Sequence, residues 1–372
     1  MNGGRPTVSA CILAHTSRGG LARLLLELDV VVDEIVVGVD AASRDDTLEI
    51  ARSGADVVFR FEHVGPPLRA RLLPLRHARG EWILALDEDE GLDQAIAPVL
   101  GELVADPRYS HYWFPRRSLV ALAPPVYLHA APWYPDWQLR LFRNHPGRVW
   151  HTGRIHSGYR VMGPGAHEDR TAILHYETLV LSEAERQAKA AAYRALGADE
   201  SSHYHPTAGR ERRPLVPGPA AAGPRPRGRA GRLLAGVETV PERPATPPWG
   251  ATLEARMPAS ARCGEALVVE VLARNTGRLD WLPPGSSWPY LNLSHHLLTS
   301  SGLVVRRDGE RVPMPRVVSP GESVRFLLNL RAPETPGCYL VEWDLVSEGE
   351  CWFAECGSRT ARVPLQVGQH AA

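Results

Sequence analysis

Short apolar runs alternate with helix-like patterns over the first hundred residues. Val8 to Ala14, Glu34 to Val39, Asp56 to Phe61 and Glu81 to Leu86 have the length and content of strands. Between them, Leu21 to Leu28 has the spacing of an amphipathic helix, and a second helix is expected to open at Ser43 with Asp45 and Asp46 in its first turn. Strand and helix in alternation predict a parallel sheet covered by helices on both faces. Right-handed crossovers then bring the carboxyl ends of the strands to one edge, where ligands bind. After Pro107 the runs become aromatic and short: His111 to Phe114, Trp137 to Phe142, Ile155 to Val161 and Ala172 to Tyr176. They predict a mixed or antiparallel extension. A helix is expected from Ser182 to Leu196, with Ser182 as its cap and Glu185 as the capping-box partner.

The pattern then breaks twice. From His203 to Trp249 the chain is rich in Pro, Gly, Ala and Arg, as in PLVPGPAAAGPRPRGRAGR. Such a stretch buries too little apolar surface to offset its chain entropy and reads as a flexible, locally positive linker. Its charge suits a soluble spacer, with peripheral contact to an anionic membrane as the alternative. From Ala251 to Val367 the pattern is all-β: Leu267 to Leu272, the alternating Ser323 to Leu330, and Tyr339, Val341, Trp343 and Leu345 on one face, separated by turns at Asn275-Thr276-Gly277, Pro320-Gly321 and Pro336-Gly337. That spacing suggests an immunoglobulin-like sandwich. The expected organisation is an α/β domain over 1–202, a linker over 203–249 and a β-sandwich over 250–368.

Composition narrows the classes. The 372 residues hold 42 basic and 42 acidic side chains, so the basic excess of a nucleic-acid binder is missing. No apolar stretch reaches the roughly eighteen residues that span a bilayer, and Met1 to Pro6 lacks the layout of a secretory signal; a cytoplasmic protein is expected. The five cysteines form no C-x-x-C pair, and Cys351 and Cys356 read as reduced thiols.

The chemistry concentrates at two strand ends. Ile83-Leu84-Ala85-Leu86-Asp87-Glu88-Asp89-Glu90 runs a buried strand straight into carboxylates. Asp87 and Asp89 in a D-x-D offer oxygen donors to a hard cation, Mg²⁺ or Mn²⁺, that neutralises a diphosphate. An acidic loop can equally be a solvated turn; the position on the ligand edge favours the functional reading. Asp40 ends the second strand, where an acid can accept a ribose hydroxyl or merely cap a turn. No G-x-G-x-x-G follows the first strand, which argues against a dinucleotide-binding oxidoreductase, and no G-x-x-x-x-G-K-[ST] occurs, which excludes a P-loop ATPase.

With these segments in order, Val8 to about Asp93 resembles the N-terminal half of family 2 glycosyltransferases with the GT-A fold. The matching pieces are VSACILAHTSRGG, EIVVGVDAASRDDTLEIARSGADVV and ARGEWILALDEDE, with Asp40, Ser43, Asp45 and Thr47 on the family's acidic turn. DWQLRLFRN (Asp136 to Asn144), Ile155-His156-Ser157, Leu174-His175-Tyr176 and the helix with Glu185, Arg186, Lys189 and Tyr193 resemble the branch of lipopolysaccharide-core and peptide glycosyltransferases. Ser157 stands where that branch has Glu. The resemblance implies a Rossmann-like mixed sheet, a nucleotide-sugar donor, inversion at the anomeric carbon and a carbohydrate, lipid-linked or peptide acceptor. Inversion needs a base; the candidates are Asp136, then Glu168 and Asp169. Asp40, Asp87, Arg140 and Arg143 are candidates for donor binding, with one arginine at most expected on the diphosphate. His175 is a candidate metal ligand or a structural histidine, and Trp133, Tyr134 and Trp137 a sugar platform or a sheet core. RNTGRLDWLPPG, SPGESV, RAPETPGCYLVEWDLVSEG and CWF resemble tryptophan-rich immunoglobulin-like domains appended to bacterial transferases, marked by Trp281, Trp288, Trp343 and Trp352. The alternative function is a degenerate GT-A domain that binds nucleotide or carbohydrate without turnover, motivated by Ser157.

Overall fold

A computed structural model of the chain describes residues 7–17, 19–62, 67–151, 158–195, 207–216, 232–239, 248–286, 289–348 and 351–369, the side chains of 67–69, 193 and 239 excepted. Ile155-His156-Ser157 and Trp288 therefore lie outside the described residues, as does the Tyr193 side chain. The chain divides into two compact units. Residues 1–145 and 149–242 form the first; 146–148 and 243–372 form the second.

The first unit is built on four parallel strands: β1 (Val8–Ala14), β2 (Glu34–Asp40), β3 (Val57–Glu62) and β4 (Trp82–Asp87). They lie in the order β3-β2-β1-β4. Both faces of these strands are covered, which is why their sequences are continuous apolar runs. Helix α1 (Gly20–Leu28) buries Leu21, Leu24, Leu25 and Leu28, the i, i+3, i+4, i+7 set, and leaves Leu26 in water. Helix α2 (Thr47–Gly54) starts four residues later than expected, because Asp45 turns back to accept from the Thr47 N–H and hydroxyl. At Gly38 the Phe59 ring occupies the place a Cβ would need, 2.5 Å away.

After the short β5 (Glu90–Leu92) and α3 (Ile96–Ala105), the sheet turns antiparallel. β6 (His111–Leu122) leads to β7 (Pro125–Leu128) and β8 (Asp136–Arg143). β8 inserts between β4 and β6, antiparallel to both. β9 (Val149–His151) and β10 (Tyr159–Val161) form a separate pair, while β11 (Gly165–His167) and β12 (Ile173–His175) run beside β6. Helices α4 (Glu177–Val180) and α5 (Glu183–Ala195) follow. Ser182 and Glu185 exchange the reciprocal bonds of a capping box at the start of α5.

The segment expected as a linker corrects the sequence reading. Arg212–Pro214 is a strand, β13, paired with β7, and Arg232–Thr239 is a strand, β14, paired parallel to β3. Both edges of the large sheet are thus supplied from 203–249. The average over a Pro- and Arg-rich stretch hides RLLAGVET, which is long enough to pair, and its Leu234 packs on the core. His77 Nε2 and Glu238 Oε1, 2.6 Å apart, tie β14 down.

The second unit is all-β. β15 (Ala251–Arg256), β17 (Ala266–Asn275) and β21 (Ser323–Arg331) form one antiparallel sheet. β16 (Ser260–Arg262), β18 (Leu291–Thr299), β19 (Val304–Arg306), β20 (Val312–Pro313), β22 (Gly337–Ser347), β23 (Cys351–Trp352) and β24 (Ala361–Gly368) form the other. Strict alternation along β17 buries Leu267, Val269, Val271 and Ala273 and leaves Val268 and Leu272 outside. Trp281 and Trp343 are fully enclosed, and Trp352 lies under the Arg311 guanidinium. The five cysteines are free thiols.

Candidate functional site

The carboxyl ends of β1, β2 and β4 bring the acidic residues together. The His15 N–H, just past β1, donates to Glu88, and its Nδ1 stands 3.2 Å from Asp40. Asp40 is buried and accepts from the Ala42 N–H, closing the turn after β2. Thr16 sits at φ 54°, a left-handed backbone rare for a β-branched residue and costing on the order of 1–3 kcal/mol. Strain of that kind, placed between Asp40 and the acidic turn, marks a backbone fixed by its surroundings. The turn itself rests on α1: Glu27 accepts from the Leu92 N–H and Arg23 donates to the Glu90 carbonyl.

Asp87 and Asp89 have different environments. Each Asp87 oxygen lies 2.7 Å from a guanidinium, Oδ1 from Arg71 and Oδ2 from Arg140. Burial opposes its ionisation, but these two cations outweigh that and hold the carboxyl well below the usual range. Asp89 faces His175, with Nε2 3.4 Å from Oδ2. Burial again pushes upward, and His175 prevails, leaving the carboxyl at about 2. Glu88 between them is pushed up to about 8, by burial first and then, against the His15 N–H, by Asp89, Asp87 and Asp45.

Glu90 is the hub beneath the turn. It is fully enclosed, accepts from the Asp87 N–H, meets Arg140 at 2.5 Å and stands 3.6 Å from Arg116. Arg116 in turn grips Asp136 through two N–H groups, at 2.9 and 2.7 Å, while Gln138 donates to the other Asp136 oxygen. Asp87, Arg140, Glu90, Arg116 and Asp136 therefore form one alternating chain of charge. A bulge explains how Arg140 enters it: β8 has one extra residue where Tyr112 pairs Leu141 and Trp113 pairs Leu139, and Arg140 is that residue. Plain alternation along the sequence does not show this.

The remaining candidates lie elsewhere. Arg143 pairs with Trp82 at the opposite end of β4, stacks over that ring at 4.5 Å and donates to the Tyr109 and Asp106 carbonyls. Glu168 is clamped by Arg170, which also binds Glu102 on α3, and Asp169 is exposed beside it. Trp133 is buried and Tyr134 stacks on His129, so these two belong to packing; Trp137 is about one-third exposed, edge-on to His167. Arg71, Glu90 and Arg116 escaped the sequence reading. The signal available was a charge inside an apolar strand, as at Arg116 in β6.

Asp89 and His175 fit a divalent cation as two adjacent ligands. Asp87 does not fit as a direct ligand while both its oxygens are held by arginine. Among the described residues no group of three or more His, Cys, Asp or Glu is arranged to hold a metal. A groove of about 570 Å³ in the second unit, lined in part by Thr252, Arg274 and Ser323, includes none of these groups.

Comparison with known proteins finds distant likeness only. No family model matches the chain, and no curated protein matches it. Among solved structures, TarS of S. aureus aligns over 98% of this chain and 79% of its own, at 12% identity and TM-score 0.35. Residues 1–349 of TarS in complex with UDP align at 21% identity and TM-score 0.28 over 31% of this chain, which spans 37% of that one. A CARDB domain from Pyrococcus furiosus aligns at 14% identity and TM-score 0.22 over 32% of this chain and 93% of its own. At these scores the function has to be read from the site's own geometry. Among the described residues no helix is long and apolar enough to cross a membrane.

Proposed function

We propose that the first unit is an inverting glycosyltransferase that moves a sugar from a nucleoside-diphosphate donor. The observation that carries this reading is the Asp89–His175 pair at the carboxyl edge of a β3-β2-β1-β4 sheet, with Asp40 on the same edge at the end of β2, one strand beyond β1. Asp89 and His175 would hold Mg²⁺ or Mn²⁺, whose charge stabilises the departing diphosphate. Asp40 offers its carboxylate to a ribose hydroxyl. Asp136, oriented by Arg116 and Gln138, is the base that takes the acceptor proton; Glu168 is occupied by Arg170 and is the weaker candidate. Asp87 serves by fixing Arg71 and Arg140 against the turn. The acceptor remains open among carbohydrate, lipid-linked and peptide hydroxyls or amides, and the second unit, an appended immunoglobulin-like sandwich on this reading, has no part in the chemical step.

The test is titration with UDP, GDP and dTDP, followed by hydrolysis of the corresponding sugar donors with Mn²⁺. One nucleotide should bind and its sugar should be released, with chelator abolishing release. Binding with no release under any acceptor or metal would favour the second reading, a non-catalytic nucleotide-binding scaffold. That reading draws on Asp87 and Asp136, whose carboxylates are already neutralised by arginine.

A further inference from the structure

One sheet of the second unit ends on a long open edge. β21 pairs with β17 in unbroken register, from Ala266 opposite Arg331 to Arg274 opposite Ser323, and among the described residues no strand pairs with its other side. An edge strand presents a row of unpaired N–H and C=O groups, which proteins blunt with short strands, proline, bulges or inward-pointing charge. Elsewhere the described edges carry such devices. β11, β13, β16 and β19 have three residues each, and β13 ends in Pro214. β14 is interrupted by a register shift between Leu233 and Val237. β15, on the far side of β17, is tied at its start: the Ala251 N–H donates to Ser358 Oγ, and Thr252 bridges to Arg359. β21 has nine residues without proline, glycine or lysine, and its enclosed side chains are Val324, Phe326 and Leu330.

The outward side chains of β21 favour contact over repulsion. Leu327, at the middle, is 74% exposed. It stands diagonal to Val268 and Leu272 of β17, both exposed, so the three form one apolar patch on the outer face of the sheet. Arg325 and Arg331 already have anions, Glu270 at 3.1 Å and Glu334 at 3.6 Å.

The strand is also matched to a copy of itself. Ser323–Arg331 is centred on Leu327, so antiparallel pairing about a two-fold axis at that residue engages its whole length. Leu327 then faces its own mate, Arg325 faces Asn329 and Ser323 faces Arg331, with no like charges opposed. Centring on Leu328 opposes Arg325 to Arg331, and centring on Phe326 leaves Leu330 and Arg331 beyond the end of the partner strand. The full-length register forms about eight to ten backbone hydrogen bonds. We propose that β21 is a dimerisation edge, at which two copies of this chain join β21 to β21 about Leu327 and merge their three-stranded sheets into one. The contact is isologous and closes at two copies. It is independent of the transferase reading.

Sedimentation velocity of the full chain across the micromolar range tests the proposal and should show a monomer–dimer equilibrium. Leu327→Lys sets two lysines face to face and should weaken the dimer about tenfold or more. Asn329 gives a signed test of the register. Asn329→Arg opposes an arginine to Arg325 twice in each dimer and should weaken association about tenfold, whereas Asn329→Glu should tighten it by about the same factor. Leu327 and Asn329 are both exposed, so the circular dichroism of each variant should match wild type. The opposite signs at Asn329 decide the matter even if Leu327→Lys disturbs folding. A chain that stays monomeric throughout, assembly that grows beyond two copies, or a dimer that Asn329→Arg and Asn329→Glu leave unchanged or shift in the same direction overturns the proposal.

Discussion

The first unit encloses Asp40, Glu90, Arg116, Arg140, His175 and Arg186, whereas the second encloses mainly Asn275, Asn292, Ser294 and Ser347, with Asp280 and Asp344 as its buried carboxylates. In the second unit each Asp344 oxygen meets a backbone N–H, of Leu345 and of Ala354, and burial still pushes the carboxyl up to about 6. In the first, Asp87, Arg140, Glu90, Arg116 and Asp136 are paired with one another across four strands. Ionised groups taken from water are costly even when paired, and well-packed apolar side chains stabilise at least as well. The first unit therefore holds an arrangement that packing alone does not require, while the second follows ordinary strand alternation.

Four substitutions probe the contrast. Trp343 is fully buried on β22, and Trp343→Ala should destabilise the second unit by about 3–5 kcal/mol. Nucleotide affinity should be unchanged; if calorimetry shows it lost as well, the two units do not divide stability and chemistry in this way. Asp89→Asn should lower turnover on the order of a thousandfold, near 4 kcal/mol of activation, with the melting temperature hardly moved because the side chain is one-third exposed. Wild-type turnover in that variant, or indifference to chelator, removes the metal assignment. Glu90→Gln leaves Arg140 and Arg116 without their shared carboxylate and should cost the first unit about 3 kcal/mol in denaturant melts. A melt like wild type would mean that the charges are solvated and the network is not a buried one. Asp136→Asn should reduce kcat about a hundredfold while donor affinity holds. Loss of nucleotide binding instead would make Asp136 a structural partner of Arg116.

The two halves of the first unit were unequally legible. Val8–Ala14 matches its apolar run residue for residue, and the other three parallel strands fall within a residue of theirs, because strands buried on both faces carry uninterrupted apolar sequence. The β6–β8 region was placed but cut short: β6 extends to Leu122, past Arg116 and Arg117, where a single sequence reads charge as the end of a strand. Arg116 stays inside because Asp136 and Glu90, far off in the chain, receive it. The carboxylates of the site were visible as a strand end in acid and Arg140 as a candidate beside them; Arg71 and Arg116 were not, since the carboxylates they meet lie far off in the chain. Arg140 and Arg143, indistinguishable by type and spacing, were separated only by the bulge in β8.

The edge strand β14 has a consequence for how this protein is made. β3 is complete at Glu62, yet its outer partner is the segment ending at Thr239. At about 5–20 residues per second of synthesis, the open edge of β3 waits roughly 10–35 s for that partner. During that interval it presents unpaired N–H and C=O groups to any other extended chain, including a second nascent copy of itself. The yield of folded protein should therefore depend on how crowded and how fast its translation is, and supplying residues 232–239 as a separate peptide during refolding should suppress aggregation by closing the edge early.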